Sequence, residues 1–530
     1  MSRVNRRIFV KQIGYGSAGL ALLGALPAQA WKLSGGSLPR STPEKQGIRS
    51  TNIAKFLDAI AHSRIEFHSI MIVRHGHVIA EGWWAPYAAS LHHKMYSVSK
   101  SFTSSAVGFA VAEGKLTVED AVSKFFPAEM PSDVSANLAA MKIKHLLTMS
   151  TGHAKDTIPA LRNSESAASW AQLFLNLPVE FEPGTHFVYN TGATYMLSVI
   201  LQKVTGETLH DYLRPRLFDP LGITGEDWEK DPQGINTGGY GLRIKTEDLA
   251  KLGLFYLQKG KWNGKQLLPE QWVADATTAK IPSTPANFNG GTLPDNDWTQ
   301  GYGYQFWINK PMGFRADGAF GQFSLVLPEK DAVVAITGES FDLQASLNLV
   351  WENLVPSMKD IFVGNDLINS DQLKETLRGL KLEPYQQSTS SPLAATLSGK
   401  EFKLEPNSAN FKICWLAFAK DTVKISFKDE SKTQVLSAGM HKWIESREKS
   451  TVPPFAIRGR TDVPSKVAAS ATWIDEHTLV VTRRMIETPH SDQLTFVFEG
   501  SVLKVKFSNS ISQGNKTVAE ERPDLKGLLV

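Results

Sequence analysis

Strand-patterned segments stand at both ends of a long helical stretch, and this arrangement limits the fold more than any other feature of the chain. Near the start, Ile70-Met71-Ile72-Val73-Arg74-His75-Gly76-His77-Val78-Ile79-Ala80 reads as two strands around a tight turn at His75-Gly76. Between Gly301 and Gly338 come Tyr304 to Ile308, Phe323 to Leu327 and Ala332 to Ile336, the last two joined by a turn at Pro328-Glu329-Lys330-Asp331. The residues in between carry helical spacing. Phe102 to Glu113 places Phe102, Ala106, Phe109 and Ala110 on one face and closes on Gly114; further helices are expected at Ile143 to Met149, Ala193 to Val204 and Glu247 to Gln258, the last capped by Thr246. Strands from both ends can share one antiparallel sheet, which predicts an α+β domain over residues 31–370.

A second texture follows. Gln386-Gln387-Ser388-Thr389-Ser390-Ser391-Pro392 is polar and rich in Ser and Pro, so residues 371–395 read as a linker. Beyond it, Phe411 to Phe418, Val423 to Phe427, Ala468 to Ile474, Thr478 to Arg483, Leu494 to Phe498 and Leu503 to Phe507 are short β-rich runs between polar turns. They predict a smaller antiparallel β domain over 396–530, a sandwich or a barrel. With 530 residues, 42% of them hydrophobic, the chain can bury cores large enough to need no staples, and its one cysteine, Cys414, leaves no internal disulfide or thiolate cluster. The formal net charge is only +4 and the basic residues form no stripe, so no nucleic-acid partner is expected. His75 and His77 lack a third ligand at metal-site spacing, and no metal or cofactor is expected.

The first thirty residues differ again. Arg6-Arg7-Ile8-Phe9-Val10-Lys11 precedes the apolar run Ala18 to Leu26 and the small residues of Ala28-Gln29-Ala30, the layout of a signal peptide. The paired arginines resemble the twin-arginine export signal. The run is too short to span a bilayer comfortably, so the expectation is a periplasmic or extracellular protein with no stable membrane span once the signal is cleaved.

Ser-x-x-Lys occurs at least three times: Ser97 with Lys100, Ser446 with Lys449, Ser501 with Lys504. Only the first pair falls at an expected helix start, where spacing of three puts both side chains on one face and backbone N–H groups point toward a developing oxyanion. A lysine enclosed without a partner has its charge disfavoured and can act as a neutral base. His145 lies within an apolar helical pattern, which gives it a structural role; no Gly-x-Ser-x-Gly elbow and no His-Glu-x-x-His occur.

Met95-Tyr96-Ser97-Val98-Ser99-Lys100-Ser101-Phe102-Thr103 resembles the nucleophile motif of the serine beta-lactamase and penicillin-recognising superfamily. Ile143 to Gly152 and Pro183 to Tyr189 are similar to the blocks that follow it, in the same order. The resemblance covers about residues 40–355 and is nearest to class C beta-lactamases, family VIII carboxylesterases and 6-aminohexanoate-dimer hydrolases. It implies a beta-lactamase/transpeptidase-like domain, an antiparallel sheet with an all-helical subdomain, followed by a lipocalin-like β domain. It also implies that Tyr189 shuttles protons beside Ser97 and Lys100. Thr191 stands where the family's Tyr-x-Asn motif has asparagine, and Arg315-Ala316-Asp317-Gly318-Ala319-Phe320-Gly321-Gln322 replaces the third motif. There Gly318 would admit substrate, the N–H groups of Ser97 and Ala319 would form the oxyanion hole, and Arg315 would stand in for the missing cationic anchor. The expected activity is hydrolysis of a small-molecule ester or amide through a Ser97 acyl-enzyme. The alternatives are a D,D-peptidase, D-aminopeptidase or beta-lactamase on cell-wall-like substrates and, from another class, a penicillin-binding-like sensor that acylates without turnover.

Overall fold

The computed structural model describes residues 36–530 except 165–167, 285–295, 360, 362, 365–366, 388–389, 447–465 and 516–517. The signal-peptide reading of residues 1–30 lies outside them, as does Lys449. Among the described residues, no helix is long and apolar enough to cross a membrane.

The two ends of the helical stretch do share one sheet. Glu66–Arg74 lies between His77–Trp83 and Ala332–Glu339, and Gln322–Leu327, Phe314–Gly318 and Trp307–Ile308 follow outward, all six antiparallel. Glu66 pairs with Glu339 and Arg74 with Ala332, so the N-terminal hairpin is joined to the C-terminal strands along the whole length of Glu66–Arg74. One face of the sheet packs Ile70, Ile72, Leu325 and Val334 against helices Ser50–His62, Leu343–Asn353 and Leu367–Arg378; the other joins the core of the helical subdomain, residues 99–276.

Helix Ser99–Ala112 is buried almost all round, unlike a surface helix with one apolar stripe. Its hydroxyls therefore need internal partners: Ser101 donates to Gln305 O at 2.8 Å and Thr103 to Gly238 O at 2.8 Å. The helix ends as expected at Gly114, whose φ of +68° lets Lys115 N–H reach back to Ala110 O at 2.9 Å.

Three expectations need correction. Tyr304 to Ile308 is a strand only at Trp307–Ile308. Gln305 breaks it with a φ of +66°, and its amide donates to Leu147 O at 2.7 Å and accepts from Thr194 Oγ1 at 2.7 Å, tying three helices to one residue. Thr246 is the first helical residue, not a side-chain cap; its hydroxyl bonds Ser69 Oγ at 2.7 Å, and Asp248 accepts the Lys245 N–H instead. The segment read as linker opens within helix Leu367–Arg378, which buries Leu373 and Leu377 against helix Ser50–His62 and strand His77–Trp83.

The C-terminal domain is a barrel. Thr433–Met440, Thr422–Lys428, Ile413–Phe418, Glu401–Leu404, Leu525–Leu529, Val502–Asn509, Ser491–Glu499, Thr478–Met485 and Val467–Trp473 pair in that order, and the ring closes where Gly439 and Met440 meet Ser470 and Ala471 in parallel. Alternate residues point inward, the pattern of a strand with one dry face, and the interior is filled by Trp473, Phe402, Phe427, Phe496, Phe498 and neighbouring aliphatic side chains. Beside that core, Asp492 sits fully buried between Arg483 at 2.5 Å and Arg522 at 2.6 Å. Burial alone would raise its pKa, but the two guanidinium groups hold the carboxyl below the usual range.

Removing that shared carboxylate would take from buried Arg483 and Arg522 their common anion, leaving Arg522 its pair with Glu520 at 2.7 Å. Asp492→Ala should cost about 3–5 kcal/mol of barrel stability, read as a lower midpoint in urea unfolding followed by far-ultraviolet circular dichroism.

Candidate active site

The chain reaches Ser97 through a short strand and a forced turn. His93–Lys94 pairs with Leu242–Ile244, Met95 N–H donates to Leu242 O at 2.9 Å, and Tyr96 then adopts a φ of +49°. For a bulky residue this left-handed conformation is strained by about 1–3 kcal/mol, a cost that persists only where surrounding contacts enforce it. A single 3₁₀ turn, Tyr96–Val98, leads into helix Ser99–Ala112, so Ser97 and Lys100 stand one turn apart on the same side.

Lys100 is 1% exposed, and its Nζ lies 3.0 Å from Ser97 Oγ, 2.8 Å from Gly239 O and 3.4 Å from Thr191 Oγ1. A neutral amine has two N–H donors and one lone pair, which match these partners if it donates to Gly239 and Thr191 and accepts from the serine hydroxyl. Burial pushes the Lys100 pKa down to about 7, against the opposing pull of Asp156 and Asp317. Neither carboxylate touches it. Asp156 Oδ1 accepts the backbone N–H groups of Thr191 and Ile158 at 2.8 and 3.1 Å, and Asp317 is taken by Arg315 at 2.8 Å.

Tyr189 completes the group. Lys100 Nζ lies 4.8 Å from the centre of its ring, and the ring stacks on Trp307 at 5.6 Å between centroids. Burial raises its phenol pKa well above the ordinary value, over the opposing hydrogen bond with Ser97. Near neutrality the phenol is therefore protonated, and the lysine is the group that can be neutral. Thr191 begins helix Thr191–Thr205 and contacts Lys100, while Asn190 is spent on capping that helix and on Thr157.

The third segment forms a hairpin. Strands Phe314–Gly318 and Gln322–Leu327 are joined through Ala319-Phe320-Gly321. Gly318 is required by close approach, since a Cβ there would lie 2.4 Å from Met95 O, beside the turn that carries Ser97. Gln322 Nε2 donates to Ala319 O at 3.1 Å and fixes that peptide. Among the described residues, the amides of Ser97 and Ala319 donate to no turn, loop or cap carbonyl. Arg315 departs from the expected anchor role: it is fully buried and committed to Asp317, Asn309 Oδ1 at 3.1 Å and Asp297 O at 3.1 Å, with Trp298 beneath it. A guanidinium so enclosed is part of the scaffold. His145 accepts the Lys142 N–H at 3.1 Å and caps its own helix, and burial pushes its pKa to about 4.

Sequence reasoning missed Gly239, Asp156 and the side chains that reach Tyr96. Gly239 lies in the small-residue run Thr237-Gly238-Gly239, the one local sign of a close backbone approach.

A serine hydroxyl hydrogen-bonded to a buried lysine amine, beside a protonated tyrosine, is an arrangement that can activate the serine as a nucleophile. The sequence profile of the Beta-lactamase family matches residues 54–350, more than half of the chain, and the chain belongs to that family. An uncharacterised protein of Alkalihalophilus pseudofirmus is 25% identical over 243 residues, 41% of this chain and 66% of that relative. A protein of Escherichia coli K12, provisionally named a D-alanyl-D-alanine carboxypeptidase, is 27% identical over 146 residues, 26% of this chain and 32% of the relative. These matches span a third to two-thirds of the relatives' own lengths. Among solved structures, a provisionally named 6-aminohexanoate-dimer hydrolase from Bacillus anthracis aligns at 18% identity over 59% of this chain and 86% of its own, with a TM-score of 0.47. The octameric penicillin-binding protein homologue from Pyrococcus abyssi aligns at 15% identity over 90% and 99%, with a TM-score of 0.44.

If Lys100 must be neutral to act, kcat/KM for an uncharged ester should climb roughly tenfold per pH unit below pH 7 and level off above it. Gly318→Ala should lower kcat by at least about tenfold by displacing the Met95 carbonyl and the Ser97 turn, measured in the same assay.

Proposed function

We propose that the chain is an exported hydrolase that cleaves a small ester or amide through an acyl-enzyme on Ser97. The observation that carries this reading is the Lys100 amine, buried, free of any carboxylate contact and 3.0 Å from Ser97 Oγ. Lys100 takes the hydroxyl proton as Oγ attacks the carbonyl carbon. The amides of Ser97 and Ala319 receive the oxyanion. Tyr189, protonated, gives its proton to the departing oxygen or nitrogen and regains one from the Lys100 ammonium. Water then attacks the acyl-enzyme and loses its proton to the neutral lysine, and the resulting ammonium returns that proton to Ser97 Oγ as the acyl–oxygen bond breaks and the acid leaves. Thr191 borders the substrate on the side of Lys100, and Gly318 leaves room for its backbone.

The name of the E. coli relative points to a cell-wall peptide as the rival substrate. Two features favour a neutral ester or amide over a beta-lactam or a D-alanyl carboxylate. Thr191 supplies a hydroxyl where the superfamily has an amide, and Arg315 is held by Asp317, Asn309 and the Asp297 carbonyl. Export rests on residues 1–30 alone and places the activity in the periplasm or outside the cell.

A short-chain nitrophenyl ester, a chromogenic cephalosporin and a D-alanyl-D-alanine peptide, compared on the purified protein, test the reading. Steady turnover of the ester is expected, with Ser97→Ala and Lys100→Ala each lowering it by about 10³-fold or more. Faster cleavage of the peptide or the cephalosporin would reassign the substrate. A single burst without turnover would mark a sensor.

A further inference from the structure

The turn between strands Thr478–Met485 and Ser491–Glu499 belongs to the barrel, yet it docks on the segment that carries Ser97. Glu487 O accepts the Lys94 N–H at 2.9 Å and Thr488 O accepts the Tyr87 hydroxyl at 3.2 Å. His490 reaches farthest. Its Nε2 accepts from the Tyr96 hydroxyl, and its Nδ1 lies 2.7 Å from Glu339 Oε1, which also accepts from Ser510 at 2.6 Å. An ionised carboxylate can only accept, so Nδ1 carries the imidazole proton and Nε2 is left as the acceptor for the phenol.

Two observations connect this contact to the reacting atoms. Tyr96 immediately precedes Ser97 and holds the left-handed φ on which the serine's direction depends. Phe320 immediately follows Ala319, is itself left-handed at a φ of +65°, and sets its ring edge-on to His490 at 4.7 Å and to Tyr96 at 5.2 Å. One imidazole therefore braces both turns that flank the two donor amides.

We infer that His490 is a positioning residue of the hydrolytic site: held by Glu339, it fixes the Tyr96 and Phe320 turns and thereby the placement of Ser97 Oγ relative to the amides of Ser97 and Ala319. The barrel is on this account a working wall of the site. The inference rests on the acyl-enzyme reading above. His490 acts here by holding Tyr96 and Phe320 in place, not by carrying a proton.

The test uses the full chain and the rate at which a fluorophosphonate acylates Ser97, followed by intact mass, together with KM and kcat for the nitrophenyl ester and the melting temperature. His490→Leu removes the hydrogen bonds to Tyr96 and Glu339. His490→Gln retains an amide oxygen for Tyr96 and an amide N–H for Glu339. Tyr96→Phe removes only the phenol and keeps the ring packing. His490→Leu and Tyr96→Phe should each slow acylation by about 10–100-fold, the loss associated with small misplacement of a reacting group, while KM stays within about twofold. His490→Gln should recover most of the rate, and the double variant Tyr96→Phe/His490→Leu should be no slower than the worse single one, because both act through one contact. If His490→Leu does not fold, Tyr96→Phe and His490→Gln decide the matter. Wild-type rates in Tyr96→Phe, a Gln variant as slow as a folded Leu variant, or losses that multiply in the double variant would each overturn the inference. Absence of Ser97 labelling in the wild type would instead sink the acyl-enzyme reading, and this one with it.

Discussion

The burial of one amine organises the hydrolase domain. An ammonium taken out of water is expensive unless an anion meets it, and two carboxylates lie near enough to Lys100 to raise its pKa. The fold assigns both elsewhere: Asp156 to the backbone at the start of helix Thr191–Thr205, and Asp317 to Arg315. Arg315 thus has a reason to be fully enclosed. By occupying Asp317 it keeps the lysine without an ionic partner, and the amine is left with a hydroxyl, a carbonyl and the serine. The third-motif departures noted in the sequence then form one device, in which the charge at Arg315 is turned inward.

Much of this was legible in the chain because the information is local. Ser97 and Lys100 are three residues apart at a helix start, and Tyr189 and Gly318 follow in segments with their own turn chemistry. Most of the sheet was legible from strand texture at both ends of the helical stretch, though strand Phe314–Gly318 reads in the sequence only as the approach to a turn. What escaped depends on distant partners. Gln305 looks like part of an aromatic, strand-forming run, and only the carbonyls of Leu146 and Leu147 and the hydroxyl of Thr194 explain why the backbone turns there. Helix Leu367–Arg378 is polar apart from a narrow face, so its burial of Leu373 and Leu377 shows only once helix Ser50–His62 is beneath it. His490 sits 394 residues from Tyr96, and no periodicity joins them.

The two domains meet through polar contacts more than through oil. Beside the small apolar cluster of Tyr87, Leu91, Ala468 and Ile486, Arg484 forms a two-pronged pair with Glu66 at 2.6 and 3.0 Å, and His68 bonds the same carboxylate at 2.9 Å. Directional contacts of this kind fix orientation as well as adhesion, because a small rotation breaks them where an apolar patch would slide. That suits an interface that ends one residue from the serine.

The closure of each domain also sets an order of events. Glu66 must find Glu339 before the sheet exists, and Phe402 must find Leu529 before the barrel ring is complete. Pairings so far apart in sequence are formed late, after the loop entropy between them has been overcome. During synthesis the helical subdomain can collapse around helix Ser99–Ala112 while the barrel is still an open sheet with bare edges. The hydroxyl of Tyr96 gains its partner only after the turn that carries His490, 394 residues further on, has emerged and docked. A nascent chain would hold a nearly built but unbraced site, slower than the finished one until the barrel turn has docked.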